Sequence, residues 1–252
     1  MNSSDCENEY FSYPSLFGEA EVFTLENDNE ETVRVLYVGG GFQSASFIGE
    51  RRFEPVFSYI AAFDCIFDHH PMNRVLMIGG GAFSYPKLLL TEHENTSIDV
   101  VEIDSHIVSI ARKHFYLDEL EARYGQAGSK RLRCIVDDGC HYLACAQSSH
   151  YDAIINDSFD GTNPTGSLMS EEALANAKRC LQTNGLYVVN VSIDEEDDAD
   201  YLAAQQAANA LATAFNHVYQ LVCIDEEYAG ADNYLLIASD APQHIHNVQQ
   251  LF

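Results

Sequence analysis

Short apolar runs alternate with helical patterns along most of the chain after about residue 70. Runs such as Val75–Ile78 and Leu186–Val189 have the length of buried strands. Stretches between them, such as 105–115, carry apolar residues at helical spacing. Alternation of this kind predicts a parallel sheet covered by helices on both faces. We therefore expect a Rossmann-like α/β domain over residues 56–252.

The pattern before residue 56 is different. Residues 1–20 begin with a polar, acidic segment, and we expect them to form a flexible arm. Residues 21–55 contain two β-rich runs around a polar turn at 26–30, followed by a glycine break and a further candidate strand. This part of the chain predicts a small N-terminal β subdomain built on a hairpin.

Charge is the most unusual bulk property of the chain. Lys and Arg total 13 against 39 Asp and Glu, which gives a formal net charge of −26. Such a field repels nucleic-acid phosphates and anionic membrane surfaces and attracts cations. Apolar residues make up 46% of the chain, yet no run approaches the roughly 20 residues of a membrane helix. We expect no nucleic-acid or membrane partner.

Cysteine and histidine usage argues against cross-links and metals. The seven cysteines are an odd number and include no CxxC pair, which favours reduced thiols in the cytoplasm. The ten histidines are dispersed without an obvious ligand pattern, so we expect no metal site. The N-terminus also lacks the basic and apolar segments of a secretory signal.

Candidate chemistry begins with Gly79-Gly80-Gly81, which follows a strand and precedes a helix. Glycines there allow a ligand to approach the backbone at a helix N-terminus, although a tight turn alone is the simpler explanation. Glu102 ends the next strand, where an acid can accept hydrogen bonds from both ribose hydroxyls. A nicotinamide cofactor is the rival ligand, but no third glycine completes its fingerprint.

Acidic residues also follow the later strands. Asp104 follows Glu102 and is a candidate helix cap. Asp138 and Gly139 end the third strand, where an acid can accept the exocyclic amine of adenine or cap a helix. Asp157 and Asp160 follow the fourth strand and could grip a cation or act as a base, or simply build a turn. Strand ends on one edge of an open α/β sheet are where such folds bind ligands.

The ordered set VLMIGGG, DVVEID, VDDG and YDAIINDSFDG resembles the polyamine aminopropyltransferase (spermidine synthase) family over roughly residues 30–192. The resemblance implies a seven-stranded methyltransferase-type sheet with a small N-terminal β domain that supports a homodimer. It also implies binding of S-adenosylmethionine or its decarboxylated form. The expected products are S-adenosylhomocysteine or methylthioadenosine, and the acceptor is a small amine or another cation.

The resemblance also implies roles for individual residues. Gly79, Gly80, Gly81 and Glu102 would bind the nucleoside, with Glu102 on the ribose. Asp138 and Gly139 would contact adenine, and Gln43 the reactive end of the donor. Asp157 would be the base, and Asp160 would hold the amine.

The family's glycine turn continues with an acid and two more glycines, whereas this chain reads Gly79-Gly80-Gly81-Ala82-Phe83-Ser84. It also has no Trp for a polyamine channel, although it has 14 Tyr. Three hypotheses follow. They are an aminopropyl transferase, a methyltransferase of the same fold, and a non-catalytic relative that only binds a nucleoside.

Overall fold

The computed structural model describes residues 9–26, 31–68, 71–159, 166–193, 198–224 and 232–252. These residues form a small antiparallel sheet and a larger mixed sheet. The small sheet has four strands in chain order, β1 (Tyr10–Ser15), β2 (Gly18–Glu26), β3 (Thr32–Val38) and β4 (Gly41–Phe47). The expected N-terminal β subdomain is therefore present.

The central sheet is larger than expected. Its described strands are β5 (Arg74–Ile78), β6 (Ser97–Glu102), β7 (Leu132–Val136), β8 (Tyr151–Asn156), β9 (Leu181–Ile193), β10 (His217–Cys223), β11 (Asp232–Ser239) and β12 (Gln249–Gln250). Their spatial order is β12-β10-β11-β9-β8-β5-β6-β7. This is an α/β sheet of the methyltransferase type, with an eighth described strand where seven were expected. β12 has two residues, too few to show a hydrophobic pattern.

The sheet is mixed rather than fully parallel. β5, β6, β7, β8 and β9 pair in parallel, whereas β11 runs antiparallel to both β9 and β10. A parallel pair needs a crossover of a dozen or more residues. Only eight residues separate β10 from β11, so these two strands pair as antiparallel neighbours.

Helices cover both faces of the central sheet. Those in the described residues are α1 (Ser58–Ala62), α2 (Ser84–Glu92), α3 (Ser105–His114), α4 (Leu117–Tyr124), α5 (Gly139–Cys145), α6 (Glu171–Cys180) and α7 (Asp198–Ala214). α1 to α4 contribute to one apolar core and α5 to α7 to another, on opposite sides of the strands. Within the described residues, no helix has the length and apolarity needed to cross a membrane.

The N-terminal segment differs from the expected flexible arm over residues 1–20. Residues 10–15 form β1, which pairs with β2 from Tyr10 opposite Phe23 to Ser15 opposite Gly18. β1 escapes sequence reading because it is short and contains Pro14, a residue that usually interrupts strands. Residues 1–8 lie outside the described residues, and the domain boundaries at 20 and 55 stay predictions.

The small sheet packs directly on the central domain. Its residues Ala20, Val22, Leu36 and Val38 form one apolar cluster with Ala82, Ile107, Ile110 and Phe115. Beside this cluster, Lys87 on α2 is 1% exposed. Its ammonium nitrogen donates to the Ser46 hydroxyl at 2.5 Å and to the Phe115 carbonyl at 3.4 Å. Burial lowers the pKa of Lys87 to about 7. The contact between the sheets thus contains a lysine that is costly to charge.

We expect Lys87 to make stability depend on pH. Because its pKa is lower in the folded chain, the unfolded chain binds more protons between about pH 7 and 10, and stability rises with pH there. Lys87→Met removes this contribution. Wild type should therefore gain about 2 kcal/mol relative to Lys87→Met between pH 7 and 9, as measured by urea unfolding. The exposed Lys178→Met variant is the control. Parallel pH curves for wild type and Lys87→Met would contradict the prediction.

Candidate active site

Four strand ends meet at the carboxyl edge of the central sheet. The residues that follow the strands extend the backbone ladder by one step. Gly79 N donates to Val101 O at 2.9 Å, Asp137 N to Glu102 O at 3.2 Å, and Asp157 N to Ile78 O at 2.9 Å. The glycine turn, Glu102, Asp137 and Asp157 are therefore neighbours in space, at the edge where open α/β sheets bind ligands.

The glycine turn is held by tight packing. Gly79 has a φ of +95°, and a Cβ on it would lie 2.2 Å from the Asp157 carbonyl oxygen. Gly81 has a φ of +49°, and its Cβ would lie 2.6 Å from the Ser44 hydroxyl of β4. Any side chain at these two positions would collide with protein atoms as well as strain the backbone. The close packing of the turn against the end of β8 and against β4 thus explains the glycines at these two positions, whether or not a ligand binds.

The side chain of Glu102 holds the glycine turn in place by hydrogen bonds. The residue is 8% exposed. Its Oε2 accepts hydrogen bonds from Gly80 N at 2.8 Å and Gly81 N at 3.2 Å, and its Oε1 accepts from Asp104 N at 3.0 Å. A carboxylate has about four acceptor positions, so these bonds leave roughly one. One acceptor position therefore remains for a further donor, and the ribose contact of Glu102 stays a prediction.

Asp104 and Asp138 are helix caps. Asp104 is fully buried and accepts from His106 N at 2.8 Å and Leu16 N at 2.7 Å, so the capping alternative is confirmed for it. Asp138 accepts from His141 N at 2.8 Å and caps α5. Gly139 is buried, and a Cβ there would lie 2.6 Å from a methyl group of Ile78. An adenine contact by Asp138 and Gly139 stays a prediction.

Asp157 lies in a polar network that crosses two further strands. Its Oδ1 accepts from the Asn190 side-chain amide at 2.8 Å, and the Asn190 oxygen accepts from the Asn233 amide at 3.0 Å. Burial raises the pKa of Asp157 to about 6, and the hydrogen bond from Asn190 opposes that rise. Burial also raises the pKa of Tyr59, and the nearby Asp157 charge adds to that rise. The carboxyl group of Asp157 thus has a pKa of about 6, above its ordinary value.

Of the two residues expected to contact the substrates, Gln43 lies within the described residues and Asp160 does not. Gln43 lies in β4, where the pairing with β3 shifts register, so that Ser44 faces Leu36 and Phe42 faces Tyr37. Such a bulge redirects a side chain locally. The next residue, Ser44, accepts a hydrogen bond from Ala82 N at 3.1 Å, so β4 contacts the end of the glycine turn at the residue after Gln43. Asp160 lies outside the described residues.

Sequence analysis missed three residues that stabilise this edge of the sheet and lie far from the strand-end motifs in sequence. Asn190 and Asn233 come from β9 and β11, and Ser44 comes from the small sheet. One signal was available, because Asn190 interrupts the apolar run GLYVVNVS near a strand end. A buried amide in such a run needs a hydrogen-bond partner, which indicates a polar site nearby.

Fold and site together define an α/β protein with a methyltransferase-like sheet, a buried acid at the end of β6 and a carboxyl group with a raised pKa after β8. The model of the spermine/spermidine synthase domain matches residues 58–245. The chain belongs to the spermine/spermidine synthase domain family.

Curated relatives match part of the chain. The polyamine aminopropyltransferase of Erwinia tasmaniensis is 31% identical over 133 residues, covering 52% of this chain and 45% of that protein. The enzyme of the same name from Shigella sonnei is 36% identical over 121 residues, covering 48% and 40%. The matched region therefore spans less than half the length of these curated relatives.

Solved structures match the fold. A spermidine synthase in complex with the transition-state analogue AdoDATO has a TM-score of 0.72 at 20% identity, covering 92% of this chain and 73% of that one. Spermidine synthase from Thermotoga maritima has a TM-score of 0.70 at 19% identity, covering 92% and 72%. Human methyltransferase-like protein 13 in complex with SAH has a TM-score of 0.57 at 19% identity, covering 75% and 84%.

The pKa of Asp157 can be tested without any ligand. We expect its carboxyl to titrate near pH 6, and Asn190→Leu to raise that midpoint because it removes the amide donor. Since the folded chain holds this proton more tightly, stability should fall as pH rises from about 4 to 6, and Asp157→Asn should lack this fall. Carboxyl carbon chemical shifts give the midpoint, with Asp240 as an exposed control. A midpoint near the ordinary 3.8 would refute the assignment.

Proposed function

We propose that the protein is a spermidine-synthase-like transferase that moves an aminopropyl group from decarboxylated S-adenosylmethionine to a small amine. The observation that carries this proposal is the position of Asp157. Its backbone packs against Gly79, and its side chain shares one sheet edge with Glu102. A nucleoside-binding acid and a base near neutral pH are the two groups such a transfer requires.

The donor would lie across the glycine turn. Glu102 would accept a ribose hydroxyl at its remaining acceptor position, Asp138 and Gly139 would border the adenine, and Gly79 to Gly81 would let the nucleoside lie close to the backbone. Gln43 would contact the donor near its reactive end. When bound, the donor supplies an electrophilic carbon beside a sulfonium.

The acceptor would enter on the Asp157 side. A free amine has a pKa of about 10.4 and is protonated at neutral pH, so it cannot attack until a proton leaves. Asp157 would accept that proton, and Asn190 would hold the carboxylate while it does so. Asp160 would hold the remainder of the amine. The net charge of −26 favours a cationic acceptor over an anionic one.

One observation favours a second candidate. Ala82 occupies the position where the family pattern has an acid, and it is buried in the apolar cluster beneath the small sheet. The next residue, Phe83, has a φ of +58° and packs its ring on Gly80. Without a carboxylate there, the donor could be S-adenosylmethionine, with methyl transfer, or the site could bind a nucleoside without any transfer. The homodimer and the cytoplasmic location stay expectations.

Nucleoside binding through Glu102 is tested by Glu102→Gln. The amide keeps the size of the side chain but removes one acceptor oxygen, so affinity for methylthioadenosine and S-adenosylmethionine should fall by about 1–3 kcal/mol. Calorimetry measures this, and circular dichroism checks the fold. Glu121→Gln, which lies on α4 and pairs with Arg112, is the matched control. An unchanged dissociation constant in a folded variant would remove Glu102 from the site.

The base is tested by Asp157→Asn. This variant keeps shape and some hydrogen bonding but cannot accept a proton, so transfer should slow by about 10²–10⁴ while donor binding persists. The assay uses labelled donor with putrescine, spermidine and a panel of other amines, beside calorimetry for the donor. Asp240→Asn, at the opposite edge of the sheet, is the control.

The outcomes separate the hypotheses. Equal transfer by wild type and Asp157→Asn would show that another group is the base. Transfer of methyl rather than aminopropyl would select the methyltransferase. Tight nucleoside binding without transfer to any acceptor would favour the non-catalytic relative.

A further inference from the structure

Three side chains with nucleophile, base and carboxylate chemistry line up on α5. Asp137 lies just before the helix, His141 follows one turn later and Cys145 ends the helix. His141 Nδ1 lies 2.8 Å from Asp137 Oδ1, and His141 Nε2 lies 3.7 Å from the Cys145 sulfur. Residues four apart on a helix share a face, which is why the three meet in this order. Neither the transfer reaction nor the expected donor site uses His141 or Cys145.

The contact to Asp137 fixes the tautomer of the imidazole. An ionised carboxylate can only accept hydrogen bonds, so Nδ1 carries the proton. In the neutral ring, Nε2 is then the acceptor, and it faces the thiol of Cys145. An acceptor nitrogen beside a thiol, oriented by a third group, is the arrangement that activates a nucleophile.

The end of α5 would by itself disfavour a negative sulfur, because helix C-termini carry partial negative charge. Arg179 of α6 offsets this partial negative charge. Its guanidinium donates to the carbonyl oxygens of Leu143 at 2.6 Å, Ala146 at 2.7 Å and Ala144 at 3.2 Å. Two of these carbonyls flank Cys145. The Arg179 charge therefore lies at the C-terminal end of α5, where it offsets the partial negative charge of the carbonyl groups beside Cys145.

Cys145 is also the accessible thiol among the described cysteines. Cys65, Cys180 and Cys223 are buried, and Cys134 and Cys140 are partly buried. Burial raises the pKa of each of these five thiols. Cys145 and His141 are both exposed. Within the described residues no group of three or more Cys, His, Asp or Glu side chains is arranged to hold a metal ion.

We propose that Cys145 is a site of thiol–disulfide exchange with small disulfides, activated by His141 and positioned through Asp137. The Cys145 sulfur attacks one sulfur of the disulfide as His141 takes the thiol proton. The original S–S bond breaks, a new S–S bond forms to Cys145, and the departing thiolate recovers the proton from His141. The products are a mixed disulfide on the protein and one small thiol.

The charge of the chain adds a preference for the partner. With a net charge of −26, a cationic disulfide approaches more readily than an anionic one. The reacting sulfur of Cys145 lies at the far end of α5 from Asp138, about 10 Å along the helix at 1.5 Å per residue. Asp137 and His141 lie closer, and the His141 backbone N–H donates to Asp138. Thiol exchange at Cys145 uses neither the nucleoside donor nor the amine, so it does not depend on the proposed function.

The experiment uses the reduced full chain and cystamine as the disulfide. Reaction is stopped with acid at intervals, and peptide mapping gives a rate for each cysteine. Cys145 should react faster than the five other described cysteines. His141→Gln should slow Cys145 by about 10–100-fold, the low end of general-base effects because the site is exposed, and leave the other rates unchanged. Asp137→Asn should slow it less, because it loosens the imidazole without removing it.

His246→Gln is the matched control, since His246 also pairs with a carboxylate, Asp68, at 3.1 Å. It should leave the Cys145 rate unchanged. A second arm with an anionic aromatic disulfide should react more slowly at low salt than at high salt. The proposal is overturned if Cys145 reacts at the same rate in wild type and His141→Gln, or if a buried cysteine reacts first. Circular dichroism confirms that each variant is folded.

Discussion

The hydrogen bonds accepted by the Glu102 carboxylate hold together the glycine turn and the strand ends of the candidate site. The carboxylate accepts hydrogen bonds from two N–H groups of the glycine turn and one that precedes α3. Bonds to an ionised acceptor contribute about 1.5–3 kcal/mol each when buried. Their geometry pulls the turn after β5 over the end of β6, which in turn sets Gly79 against the Asp157 carbonyl. A residue expected to bind a ligand is thus first a structural anchor, and its ligand role must use what capacity remains.

The small sheet is part of that same edge. Ser44 accepts from Ala82 N, and Ser84 donates to the Ala45 carbonyl at 3.1 Å, so β4 holds the glycine turn from above. Ala82 then points into an apolar cluster, where an unpaired carboxylate would cost several kcal/mol of desolvation. The family's acid could not simply be restored at this position. The departure in the turn is therefore coupled to the packing of the two sheets, and under the proposed function other side chains would have to recognise the donor.

Local patterns predicted the fold and the strand ends well, because parallel strands bring successive carboxyl ends to one edge. Glu102 and Asp157 could be placed there from sequence for that reason. Asn190 and Asn233 could not be paired with Asp157, since the order of the strands is not visible in local patterns. Asn190 reaches Asp157 because β9 pairs with β8, and Asn233 reaches Asn190 because β11 pairs antiparallel with β9. The capping by Asp104 and Asp138 was visible only as an alternative, because an acid after a strand suits both a cap and a ligand. β12 left no hydrophobic pattern to read.

Charge and burial act in opposite directions on the proposed transfer. The acidic surface concentrates a cationic amine near the site, but the same negative field keeps that amine protonated and unreactive. Burial of Asp157 reduces the difference between the pKa of the carboxyl and the pKa of the amine by about 2 units, or about 3 kcal/mol. A pKa difference of about 4 units remains. Long-range acidity cannot close this gap, because a negative field raises the pKa of the amine and the pKa of the Asp157 carboxyl alike. The rest of the pKa difference has to be removed by excluding water from around the ammonium group, which lowers the pKa of the amine. An active site of this kind therefore needs an enclosed acceptor channel, and a surface-exposed Asp157 with the same neighbours would bind amines without deprotonating them.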